Sequence, residues 1–224
     1  MKEAYFTREN INRISRNIYA DLEKYSHRHR SFTISRDTAA LLVLDMQKCF
    51  FQKELSSHIP SAYAVKSNIT DLASLFISMG MPVICTRHLN TEKDAGMMSS
   101  WWKNLIRKDS VSSCLIDEIC RADAVFLEKS QYDAFYNTGL ESLLNERGIN
   151  QVIITGVMTN VCCDTTARSA FVRGFEVFFT IDGTAAYSME LHISSLKSLS
   201  HCCAVPVLCE TVKKTLNTGS KKNG

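Results

Sequence analysis

The chain has 224 residues, 26 Lys and Arg against 23 Asp and Glu, a formal net charge of +3, and 45% hydrophobic residues. This composition suits one globular domain with a full core and excludes a disordered chain. Basic residues are scattered outside 27–30 and the C-terminal lysines, with no interleaved aromatic stripe, so no nucleic-acid partner is expected.

No apolar run reaches the roughly 18 residues of a membrane span, and the N-terminus lacks a basic-then-apolar leader pattern. The expectation is a soluble, cytoplasmic protein with no membrane partner. Residues 7–25 read as an amphipathic helix, with Ile11, Ile14, Ile18 and Leu22 at helical spacing and Thr7 and Asn10 near its N-cap. It is expected to pack on the outside of the fold or on a neighbouring subunit. After a polar stretch, the apolar run 39–45 (AALLVLD) has the signature of a buried parallel strand.

The pattern then repeats. Residues 64–79 carry helical spacing (Val65, Ile69, Leu72, Leu75, Phe76) and end at Gly80, followed by a second strand at 82–86. The polar connection 89–107 contains Met97, Met98, Trp101 and Trp102, and a connection of that length is often functional. A third strand follows at 124–127, a helix at 140–147 closed by Gly148, and a fourth strand at 151–155. A helix over 161–172, a fifth strand at 175–181, a helix over 189–203 and a sixth strand at 205–208 complete the series. The Gly-, Ser- and Lys-rich end, 213–224, is expected to be disordered.

Six short apolar strands alternating with helices predict an α/β fold, a mostly parallel six-stranded sheet with helices on both faces. Right-handed crossovers then gather the strands' C-terminal ends along one edge, where ligands bind. Asp45 ends strand one there. Arg87 and His88 follow strand two, Glu128 and Lys129 follow strand three, and Cys162 opens the helix after strand four. Asp182 ends strand five.

A thiol at a helix N-terminus beside an ammonium is drawn towards the thiolate. Asp45 can take the thiol proton and return it to a leaving amine, while first-turn N–H groups near Cys162 face a developing oxyanion. Nucleophile, base and oxyanion stabiliser together point to acyl transfer. Of nine cysteines, an odd count without C-x-x-C ligand pairs, the others are expected to be free, with Cys85, Cys120 and Cys209 as packing residues.

The motifs carrying these residues resemble the isochorismatase-like cysteine hydrolases. LVLDMQKCF at 42–50 resembles the family's opening strand and D-M-Q-x-x-F, and EKSQYDAF at 128–135 resembles its K-x-R-Y-x-A-F segment. TGVMTNVCCDTTAR at 155–168 is similar to T-G-V-x-T-N-V-C-V-x-S-T-A-R, and Asp182-Gly183 with His192 fit the closing pattern. The resemblance spans about 38–212, leaving 1–37 as a helical extension. It implies a three-layer α/β/α Rossmann-like fold and a triad of Asp45, Lys129 and Cys162. It also implies a cis peptide between Val157 and Met158, with the backbone N–H groups of Met158 and Cys162 as the oxyanion hole. Cys163 is then a core residue, and a homodimer or homotetramer is implied.

Substrate contacts are expected from Gln47, Phe50, Arg87, Trp102 and Tyr132. The stretch CTRHLN at 85–90 lacks the D-x-H … H metal spacing of many nicotinamidases. No required metal and no cofactor are expected, and the pattern points away from a nicotinamidase. The segment with Arg87, Trp101 and Trp102 resembles the isochorismatase branch, where such a loop closes over a carboxylated substrate. That branch usually lacks the cysteine and uses its aspartate as an acid on a vinyl ether.

Cys162 in an intact T-N-V-C context favours C–N hydrolysis of a small amide, carbamoyl or ureido substrate through a thioester. Vinyl ether hydrolysis, which needs no Cys162, is the second reading. A non-catalytic binding or scaffold role is the third.

Overall fold

The computed structural model describes residues 2–25 and 32–218; the basic cluster at 27–30 and residues 219–224 lie outside them. Its elements begin with α1 (Ile11–Leu22), β1 (Ala39–Leu44), α2 (Ala62–Ser78), β2 (Val83–His88), α3 (Met98–Trp101) and β3 (Val125–Lys129). They continue with α4 (Leu140–Glu146), β4 (Gln151–Val157), α5 (Asp164–Val172), β5 (Glu176–Ala185), α6 (Met189–Cys202), β6 (Val205–Val207) and α7 (Cys209–Thr218). A π-helical turn, Thr159–Cys163, joins β4 to α5.

The sheet has the order β3-β2-β1-β4-β5-β6 and every pairing is parallel. The chain therefore winds outwards from β1 in one direction and from β4 in the other. Connections leaving these two central strands diverge, which opens a crevice at their C-terminal ends. All of β1 and β4 is buried, as their unbroken apolar runs require of strands covered on both faces.

Three differences from the sequence expectation have local causes. The part of the expected disordered tail at 213–218 is helical, because Val212 and Leu216 are fully buried on the face α7 turns to the core. Strand β5 runs on past Asp182 to Ala185 through an irregularity: Ile154 pairs with Phe179, but Gly156 pairs with Thr184. Asp182 is thus interior to the strand, and its Oδ1 accepts from Cys209 N at 2.8 Å, capping α7.

Helix α1 packs on this chain's own β5 and α6, burying Ile11, Ile18 and Leu22. Asn10 does not cap it; its Oδ1 accepts from Thr7 N (2.7 Å) and its Nδ2 donates to Tyr5 O (3.1 Å), turning the preceding residues back across the domain.

Candidate active site

Lys129 is the last residue of β3 and sits in register with His88 of β2. Two strand spacings, about 10 Å, separate β3 from β1, a span within reach of an extended lysine. Its Nζ crosses over β2 to lie 2.8 Å from Asp45 Oδ2, and both side chains are fully buried. Thr86 Oγ1 donates to the other oxygen, Oδ1, at 2.7 Å. Asp45 itself adopts φ +53°, a left-handed conformation that aspartate tolerates better than most residues. This turns the chain sharply off β1, and Gln47 N donates to Asp45 O at 2.7 Å.

Cys162 lies within the π turn, its Sγ 3.4 Å from Lys129 Nζ. The ammonium also donates to Gln131 O (2.9 Å) and stands 3.5 Å from His88 Nδ1. The cis peptide falls between Val157 and Met158, where the resemblance implies it.

The electrostatics differ from the sequence expectation. Burial opposes ionisation of Asp45, but the adjacent Lys129 outweighs it and holds the carboxyl below its ordinary value. Burial likewise works against the Lys129 charge, yet Asp45 and Cys162 raise it to about 12. For Cys162 burial wins: despite the ammonium, the thiol is pushed up to about 12. Burial therefore favours a protonated thiol, rather than a preformed thiolate, beside the carboxylate–ammonium pair.

Burial and Lys129 lower the His88 pKa and keep its ring neutral. Asn90 Nδ2 donates to Ser130 O (2.8 Å), which turns Oδ1 towards His88 Nε2 (2.8 Å). Nε2 therefore carries the ring proton, and the Nδ1 lone pair faces the ammonium.

A cavity of about 260 Å³ opens onto this cluster, with Asp45, Met158 and Cys162 at its floor. Phe50, Trp102 and Tyr132 are among the residues that line it, and Trp102 Nε1 donates to Tyr132 Oη at 2.7 Å, fixing one wall.

Two expected contacts fall elsewhere. Arg87 alternates with His88 along β2 and so points off the other face of the sheet, where its guanidinium meets Glu128 at 2.5 Å. Gln47 is buried as a staple, donating to His88 O and Ser113 O and accepting from His88 N, and does not line the cavity. Cys163 is fully buried, as expected, and Cys85 and Cys209 are packing residues, whereas Cys120 is exposed. All nine cysteines are free thiols.

Asn90, Ser56 and Tyr187 line the cavity without having been singled out. Asn90 is two residues beyond His88, near enough to the sheet edge to be found. Ser56 and Tyr187 sit in loops whose course sequence periodicity does not encode.

The isochorismatase domain family matches residues 39–211. The chain belongs to this family. Nicotinamidase 3 of Arabidopsis thaliana is 36% identical over 183 residues, covering 80% of this chain and 88% of that protein. Enterobactin synthase component B of Escherichia coli K12 is 33% identical over 162 residues, 71% of this chain but only 56% of that protein's length. Among solved structures, a cysteine hydrolase from Pseudomonas syringae pv. phaseolicola superposes with a TM-score of 0.81 at 23% identity, covering 84% of this chain and 96% of the other. The isochorismatase-type three-layer fold is thereby established. The expectation that pointed away from a nicotinamidase now stands beside a relative bearing that name.

Proposed function

We propose that this isochorismatase-family chain hydrolyses a C–N bond of a small amide, carbamoyl or ureido substrate through a thioester on Cys162. The observation that carries the reading is the contact of Cys162 Sγ with Lys129 Nζ, which is itself paired with Asp45 at the floor of the cavity. As the Cys162 sulfur attacks the substrate carbonyl, Asp45 takes the thiol proton. The C=O π electrons move onto oxygen, facing the backbone of Met158 and Cys162. Collapse breaks the C–N bond, and Asp45 gives its proton to the departing nitrogen. Water then attacks the thioester as Asp45 takes its proton; the C–S bond breaks, Asp45 returns the proton to the Cys162 sulfur, and the acid leaves.

Burial raises the Cys162 thiol, so in this reading Asp45 takes its proton as attack proceeds. Lys129 keeps Asp45 ionised and ready as a base. An ionised Asp45 is poorly prepared to act first as an acid, which weighs against vinyl ether hydrolysis. The aromatic and apolar walls (Phe50, Met98, Trp102, Ile106, Tyr132) suit a planar acyl group. Arg87, tied to Glu128, is not available there for a carboxylate.

The test is ammonia release from nicotinamide and a panel of small amides, carbamoyl amines and ureides by wild type and Cys162→Ala. Turnover by the wild type and its loss by about a thousandfold or more in the variant is expected. Turnover that survives in Cys162→Ala would overturn the thioester route.

A further inference from the structure

Residues 2–6 lie outside the segment the family matches, yet they tie together two loops that line the cavity, Ser56 from beyond β1 and Tyr187 from beyond β5. Glu3 N donates to Tyr187 O at 2.9 Å, and Glu3 Oε1 accepts from Met189 N at 2.8 Å, at the first turn of α6. Tyr5 Oη accepts from Ala186 N at 2.9 Å, so the residue before Tyr187, its own carbonyl and Met189 two residues on are all engaged. On the other loop, Lys2 Nζ donates to Ser56 O while standing 4.2 Å over the Tyr187 ring. Ser61 Oγ accepts from Phe6 N (3.1 Å) and donates to Glu3 O (3.4 Å).

The same segment reaches the turn that carries Cys162. The rings of Tyr5 and Phe6 pack on His192 at 5.4 and 5.3 Å. His192 Nδ1 pairs with Thr159 Oγ1 at 2.8 Å, and Thr159 opens the π turn. Helix α1, anchored on β5 and α6 by Ile11, Ile18 and Leu22, holds the segment in place from behind.

We propose that residues 2–6 belong to the active site, with Lys2, Glu3 and Tyr5 as positioning residues that hold the Ser56/Tyr187 wall and so set which acyl groups reach Cys162. The inference rests on Cys162 being the nucleophile at the cavity floor. It does not require that the substrate be known. The hydrogen bonds of Lys2 and Glu3 go to backbone or to Ser61, and the Tyr5 and Phe6 rings reach the Cys162 turn only through His192 and Thr159. Removing one hydrogen bond therefore shifts the wall without direct contact to Asp45, Lys129 or Cys162. Displacements of about an ångström at such a wall are enough to change rates severalfold.

The experiment compares alkylation of Cys162 by iodoacetamide and by the bulkier N-phenyliodoacetamide, each in excess and followed by peptide mass spectrometry. Wild type is set beside Glu3→Ala, Tyr5→Phe and a chain lacking residues 1–6, with melting temperatures recorded. The ratio of the two rates is expected to shift by about threefold or more in the variants while the iodoacetamide rate stays within about twofold. A smaller shift in the ratio overturns the proposal, whether both rates hold or both change together as general loosening would make them. Alkylation needs no turnover. A silent amide panel would therefore count against the hydrolytic reading and leave this ratio to be judged by itself.

Discussion

Asp45, Lys129 and Cys162 illustrate how three buried titratable groups divide their protons. Asp45 is held below its ordinary value by Lys129, so its contribution to stability is present above the usual carboxylate range and is lost as pH falls through the lowered folded value. Lys129 and Cys162 behave oppositely. Both are held protonated to about 12 in the fold, against ordinary values of 10.5 and 9.0. Between those ordinary values and 12 the folded chain binds more protons than the unfolded one, so stability declines as pH rises. Unfolding by urea across pH 8 to 11 is expected to show this decline, with a shallower slope in Cys162→Ala because the thiol's share is gone. An unchanged slope would mean that Cys162 ionises in the fold much as it does in the unfolded chain.

At the scale of elements, the crevice depends on how closely β4 approaches β1. Gly156 adopts φ +112°, and a Cβ built there would lie 2.0 Å from Leu44 O, the carbonyl one residue before Asp45. Backbone cannot swing aside as a side chain can, so Gly156→Ala must part the two central strands or abandon the turn into Met158. A loss of about 4 kcal/mol or more is expected, with little folded protein recovered. A soluble Gly156→Ala with near-wild-type melting would show that the strands separate at little cost. The π turn is the other element the site needs. It places Cys162 ahead of α5 instead of in its first turn, in a fully buried setting where desolvation raises the thiol.

For the whole molecule, a six-stranded parallel sheet with β1 and β4 at its centre puts the site at the point where the chain reverses direction. No helix among the described residues is long and apolar enough to cross a membrane. We propose, on the family resemblance, that the chain assembles as a homodimer or homotetramer. Sedimentation at micromolar concentration is expected to give a mass of two or four times 25.2 kDa. A species at the single-chain mass would exclude it.

Sequence by itself determined the strands, their parallel arrangement and the edge at which function gathers, because hydrophobic periodicity reports burial directly. Asp45, Lys129 and Cys162, placed at that edge, followed from the same pattern, and the 155–168 motif came from the family resemblance. Tertiary structure decided what periodicity does not encode. Strand alternation sent Arg87 to the far face and left His88 at the site. The register irregularity in β5 moved Asp182 away to cap α7. Desolvation, which depends on everything packed around a group, set Cys162 as a thiol where local sequence suggested a thiolate. The fold-back of residues 2–6 onto Ser56 and Tyr187 joins positions more than 130 residues apart, a contact made by the assembled domain and not by any local run of residues.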